Sequence, residues 1–126
     1  MAGELILLVE DNERNVKLLR DVLRATGYRT VEASTGRQAL EMAASHAPAL
    51  VLMDIRLPDM SGIEALGRLR ADARTDRIPV LAVTAQAMKG DLERFTVAGF
   101  DGHLPKPIDI DELLMSVELH CRRGWC

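Results

Sequence analysis

Five polar residues stand where apolar runs stop. Leu50-Val51-Leu52-Met53 ends in Asp54, and Leu5-Ile6-Leu7-Leu8-Val9 ends in Glu10-Asp11. Pro79-Val80-Leu81-Ala82-Val83 ends in Thr84, and the shorter Gly102-His103-Leu104 is followed by Pro105-Lys106-Pro107. If these runs lie side by side, three carboxylates, a hydroxyl and a lysine meet at one end of a sheet. Three carboxylates brought together repel one another unless something positive joins them. A hard divalent cation with oxygen ligands and retained waters answers that need, and Mg²⁺ suits it. Lys106 adds a fixed positive charge and Thr84 a hydroxyl donor. Such a kit serves phosphoryl transfer, in which metal and cation neutralise charge developing on oxygen. Within it a carboxylate can itself be the nucleophile and form an acyl phosphate. Taken singly, Asp54 reads as a turn cap, Thr84 as a strand-end hydroxyl and Lys106 as a solvated lysine. Only their convergence reverses those readings.

The elements that must bring them together follow from pattern. Four or five apolar residues in succession do not alternate, so the runs at Leu5, Leu50 and Val80 read as strands buried on both faces. Arg29-Thr30-Val31-Glu32-Ala33 alternates and reads as a half-exposed, edge-like strand. Between strands lie helical patterns. Val16, Leu19, Val22 and Leu23 share one face of a helix capped by Asp11 or Asn12 and stopped by Gly27. Ser34-Thr35-Gly36 opens a second helix that runs to about His46 and buries Ala39, Leu40 and Ala43. Ile63 to about Ala73 forms a third, after the Pro- and Gly-punctuated stretch Leu57–Gly62. Asp72 to Arg77 is a loop. Asp91 to about Ala98 forms a short helix closed by Gly99, and Asp109 or Asp111 caps a last helix containing Leu113, Leu114, Val117 and Leu119. Strand and helix therefore alternate five times. The crossovers are long enough for parallel pairing, which makes a doubly wound parallel sheet with helices on both faces.

The bulk properties agree. A chain of 126 residues suits one domain, here 1–120 with a tail at 121–126. Aromatics are only 3%, so the core is aliphatic, with Met42, Met53 and Met115 as filler. A net charge of -3 gives no electrostatic reason for nucleic-acid or membrane binding. No apolar stretch reaches membrane-spanning length and the N-terminus lacks a signal-peptide layout, so the expectation is cytoplasmic. Cys121 and Cys126 read as reduced thiols in a frayed tail. His46 and His120 read as surface residues.

The segments Glu10-Asp11-Asn12, Met53-Asp54-Ile55-Arg56-Leu57-Pro58-Asp59-Met60-Ser61-Gly62, Val83-Thr84-Ala85 and Lys106-Pro107 together resemble the receiver domain of two-component response regulators. The resemblance runs from Leu5 to about Leu119 and is strongest to stand-alone regulators of the DivK type and to hybrid-kinase receivers. It implies the flavodoxin-like strand order 2-1-3-4-5 with the acids at its switch point. It implies that Asp54 is the phosphoacceptor, taking a phosphoryl group from a phosphohistidine on a histidine kinase or histidine phosphotransferase. Asp11, Asp54 and the backbone carbonyl of Arg56 would hold Mg²⁺ directly, and Glu10 through a water. Lys106 would hold a phosphoryl oxygen, and Thr84 would swing in to bond another. Arg56, Ala85 and Gln86 would border the phosphoryl group. The Lys106–Pro107 bond would be cis. Where the family carries Tyr or Phe three residues before that lysine, this chain has His103, which either makes the outward face pH-sensitive or stays exposed.

The function these features imply is a phosphorylation switch rather than a turnover enzyme. Its output would be protein binding on the face made by the Asp91 helix, the fifth strand and the last helix, as a monomer or a weak phosphorylation-promoted dimer. An alternative is a receiver cut from a larger hybrid kinase or transcription factor. An enzyme alternative, a Mg²⁺-dependent aspartyl phosphatase, needs a second acid two residues after the nucleophile, where Arg56 stands.

Overall fold

A computed structural model of the chain describes residues 3–84 and 98–124. Among these, β1 (Leu5–Val9), β2 (Arg29–Ala33), β3 (Leu50–Asp54), β4 (Val80–Thr84) and β5 (Gly102–Pro105) form one parallel sheet in the order β2-β1-β3-β4-β5. The helices are α1 (Glu13–Ala25), α2 (Gly36–His46), α3 (Gly62–Ala71) and α4 (Ile110–Gly124).

The unbroken apolar runs are explained by the pleat. Successive side chains of a strand point to opposite faces, and both faces here are covered. Leu7, Val9, Val51, Met53, Val80 and Ala82 pack with Ala39 and Ala43 of α2 and with Ala65, Leu66 and Leu69 of α3. Ile6, Leu8, Leu50, Leu52, Leu81 and Val83 pack on the other side with Leu19 and Leu23 of α1 and Leu113 and Val117 of α4. The alternating strand β2 lies at the sheet edge, as its pattern requires.

Helix ends follow their capping chemistry. The Asn12 side chain accepts from the amides of Arg14 and Asn15, and Gly27 follows the helix with φ of 105°. Ser61 caps α3 by accepting from the Glu64 amide, and Asp109 rather than Asp111 caps α4 by accepting from the Glu112 amide.

Three expectations need correction. The last helix continues to Gly124 and Cys121 is buried against the α1 side of the sheet, so the frayed tail does not begin at Cys121. His120 is buried, its ring nitrogens facing the carbonyl oxygens of Ser116 and Asp101 at 2.7 and 3.3 Å. Met115 is 73% exposed rather than core filler, because it falls on the outer side of the helix that buries Leu113 and Val117. The expected helix from Asp91, together with Ala85 and Gln86, lies outside the described residues.

Candidate active site at the strand ends

From β1 the chain returns on one side to β2 and then crosses to β3 on the other. Just beyond the ends of β1 and β3 the sheet order reverses, and the crevice that opens there is where such sheets place ligands. Glu10 and Asp11 leave the end of β1, and Asp54 is the last residue of β3. One carboxylate oxygen from each of the three lies within 4.8 Å of the other two. Glu10 and Asp54 are buried, while Asp11 is exposed.

Lys106 reaches this cluster from just past β5. Its ammonium donates to Glu10 Oε1 at 2.9 Å and to Asp54 Oδ2 at 3.1 Å. Its backbone is fixed by its amide, which donates to the Thr84 carbonyl at 2.8 Å, and the Lys106–Pro107 bond is cis. Thr84 is buried at the end of β4, one residue beyond Val83, the register partner of Asp54. The Arg56 amide donates to Asp54 Oδ1 at 3.0 Å, so one carboxylate oxygen is oriented from the loop and the other from Lys106. His103 is exposed within β5, opposite Ala82.

Among the described residues the site is short of positive charge. Burial, then the neighbouring Asp54 carboxyl, raise the Glu10 pKa to about 7, against the lowering effect of Lys106 and Asn15. Burial opposes the charged form of Lys106, but the Glu10 and Asp54 carboxylates outweigh it and hold its pKa above the ordinary lysine value. Glu10 Oε2 is buried without a hydrogen-bond partner among the described residues. An orphaned buried carboxylate oxygen beside two further carboxylates is a donor set of hard oxygens, which suits a divalent cation of the Mg²⁺ kind.

Geometry thus unites Glu10, Asp11, Asp54, Lys106 and the Arg56 backbone, with Thr84 alongside. It also adds Asn15, whose side chain donates to Glu10 Oε1 at 2.6 Å. The signal for it was faint. Asn15 stands in the first turn of α1, five residues after Glu10, where the chain has just turned back over the end of β1.

The fold and crevice define a doubly wound α/β protein with an acidic centre at its switch point. Residues 6–118 match the family model described as "Response regulator receiver domain". The chain is 44% identical over 113 residues to the polar-differentiation response regulator DivK of Brucella ovis, covering 90% of this chain and 92% of that protein. Among solved structures, the receiver domain of a sensor histidine kinase from Pseudomonas aeruginosa superposes with TM-score 0.88 at 38% identity, covering 95% of this chain and 98% of that one. That domain carries a magnesium ion coordinated in its active-site cleft. A response regulator from Chloroflexus aurantiacus superposes with TM-score 0.90 at 28% identity, covering 95% and 98%. The chain belongs to the response-regulator receiver family of two-component systems, whose members are signalling proteins. No helix among its described residues is long and apolar enough to cross a membrane.

Proposed function

We propose that the protein is a cytoplasmic phosphoacceptor switch, with Asp54 taking a phosphoryl group from a phosphohistidine of a histidine kinase or histidine phosphotransferase. The observation that carries this reading is the buried Asp54 carboxylate, held between the Arg56 amide at 3.0 Å and the Lys106 ammonium at 3.1 Å inside an acidic cluster. An Asp54 oxygen attacks phosphorus. The new P–O bond forms as the P–N bond to the donor imidazole breaks, and the bonding pair leaves on the ring nitrogen. Lys106 stands where it can exchange its carboxylate contacts for a phosphoryl oxygen, and Thr84 offers a hydroxyl to another. Asp11, Asp54 and the Arg56 carbonyl would hold Mg²⁺ directly, with Glu10 acting through water. That ion, when bound, neutralises charge on the transferring phosphoryl oxygens.

Arg56, Ala85 and Gln86 would border the phosphoryl group and tune its lifetime, and His103 would take the place of the aromatic switch residue. Phosphorylation adds negative charge to a site already short of cations. The added charge shifts a two-state balance through Thr84 toward a form that binds a partner protein on the β5–α4 side.

The test is incubation with Mg²⁺ and acetyl phosphate followed by intact-mass measurement. Wild type should gain one phosphate-sized increment and Asp54→Asn should gain none. Equal labelling of the two would place the acceptor elsewhere. Thr84→Ala should keep its Mg²⁺ affinity while losing phosphorylation-dependent partner binding.

A further inference from the structure

The loop between β3 and α3, residues 55–61, is tied down at both ends. At its neck the Gly62 amide donates to the Ile55 carbonyl at 2.7 Å, and Arg56 pairs with Ser61 in an isolated antiparallel bridge. At its tip the Asp59 carboxylate spans the first two amides of α2: Oδ1 accepts from Gly36 at 2.8 Å and Oδ2 from Arg37 at 3.0 Å. Beside it, Met60 lies so close to Gly36 that a Cβ there would fall 2.5 Å from Met60 Cγ.

The acid is in the loop because the helix lacks one. The first turn of α2 contains no acidic residue, and its own cap, Thr35, accepts only from the Gln38 amide through its side chain. The Ala39 amide donates to the Thr35 carbonyl, which leaves Gly36 and Arg37 as the two amides that need an acceptor from elsewhere. A carboxylate at a helix N-terminus meets both the free amides and the helix dipole. Burial has little part in this, since Asp59 is exposed, and those same amides hold its carboxyl below the ordinary range.

The fastening bears on the reaction centre through Arg56. Its amide orients the Asp54 carboxylate, and its carbonyl is the metal ligand of the reading above. With the neck closed and the tip pinned to α2, the peptide units around Arg56 have little freedom. We propose that Asp59 is a positioning residue for phosphoryl acceptance. By clamping the loop to the N-terminus of α2, it sets the placement of the Arg56 backbone at Asp54, five residues away. This rests on the phosphoacceptor reading for its chemistry, but not for its geometry.

Three measurements on Asp59→Ala, Asp59→Asn and Gly36→Ala test it: calorimetric titration with Mg²⁺ alone, the half-life of the acetyl-phosphate-labelled form, and hydrogen exchange at the Arg56 amide. Asp59→Ala should weaken Mg²⁺ binding by about tenfold, the scale seen when groups that orient metal ligands are removed. It should also speed Arg56 exchange and alter the label's half-life. Asp59→Asn keeps one acceptor oxygen and should fall between Asp59→Ala and wild type. Gly36→Ala leaves the acid in place but displaces Met60, and should loosen the same loop, so the test does not depend on one variant folding. A purely structural cap would lower the melting temperature and leave Mg²⁺ affinity and Arg56 exchange at wild-type values; that result overturns the proposal. If wild type itself takes no label at Asp54, the phosphoacceptor reading fails, whereas faster Arg56 exchange in Asp59→Ala would still establish the clamp.

Discussion

Without divalent metal, the folded protein should lose stability as pH rises through about 7, and Glu10 should be the cause. Its pKa is raised from the ordinary value of 4.5 to about 7 by burial and by the Asp54 carboxyl. A raised carboxyl pKa means that the folded chain binds this proton more tightly than the unfolded chain does. The contribution to stability is therefore complete below pH 4.5, declines progressively above it, and is gone once pH has risen through about 7. A rise of that size corresponds to roughly 3 kcal/mol in all, most of which falls between pH 5 and 8. Other groups titrate over the same interval, so the measurement is a difference. Urea unfolding of wild type and Glu10→Gln in EDTA should show wild type losing ground to the variant by about that amount across the interval. Gln keeps the size and an acceptor oxygen for Lys106 and Asn15 but cannot ionise. A stability difference that stays flat from pH 5 to 8 would refute the reasoning. Mg²⁺ should reverse the loss at pH 8, contributing about 2.7 kcal/mol at a hundredfold excess over its dissociation constant. It should do much less at pH 5, where a proton occupies the carboxylate it must meet.

Other perturbations have equally definite outcomes. Gly62→Ala would set a Cβ 2.5 Å from the Asp54 carbonyl oxygen and 2.9 Å from Ile55 Cα, both backbone atoms that cannot step aside. It should cost about 1–3 kcal/mol in urea unfolding and impair Asp54 labelling as well. Asn12→Ala removes the acceptor for the Arg14 and Asn15 amides and should cost about 1 kcal/mol, read by the same unfolding assay. Burial and then the charge of Glu4 push the Cys121 thiol up to about 11. In a Cys126→Ser background, iodoacetamide at pH 8 should therefore alkylate Cys121 slowly in the folded protein and rapidly in denaturant.

The parts of this molecule that could be read from the chain are those in which one residue type has one physical use. Apolar runs such as Leu50–Met53 have to be buried on both faces, and a polar residue ending each run has to lie at one end of the sheet, so Glu10, Asp54, Thr84 and Lys106 could be placed together before any coordinates. The parts that could not be read depend on partners far away in sequence. Met115 looked like core because it is apolar, yet Leu113 and Val117 already fill that face of α4. His120 looked like surface because it is polar, yet carbonyls of Ser116 and Asp101 receive it. Asp59 stands within the Pro- and Gly-punctuated stretch 57–62, and only the folded chain brings the amides of α2, 22 and 23 positions earlier, to its carboxylate.

The conflict left in the structure is concentrated where the chemistry is expected. Over most of the described residues, propensity, pattern and capping agree, as they must for one fold to win. Asn12 caps α1, both sheet faces are filled, and the Asp59 carboxylate answers the amides of α2. Among the described residues at the strand ends, one ammonium faces three carboxylates, and Glu10 keeps a buried oxygen with no partner. Such an arrangement costs stability, and an apolar crevice would be the better solution for folding alone. On the proposed reading, other charges come and go there: a cation that relieves the repulsion, then a phosphoryl group that restores it. β1 and β3 are buried and packed on both faces, which leaves their ends little room to draw apart. On the proposed reading, a change of charge at Asp54 passes to the groups that touch its carboxylate, Lys106 and the Arg56 amide held by the Asp59 clamp, rather than dispersing into the core.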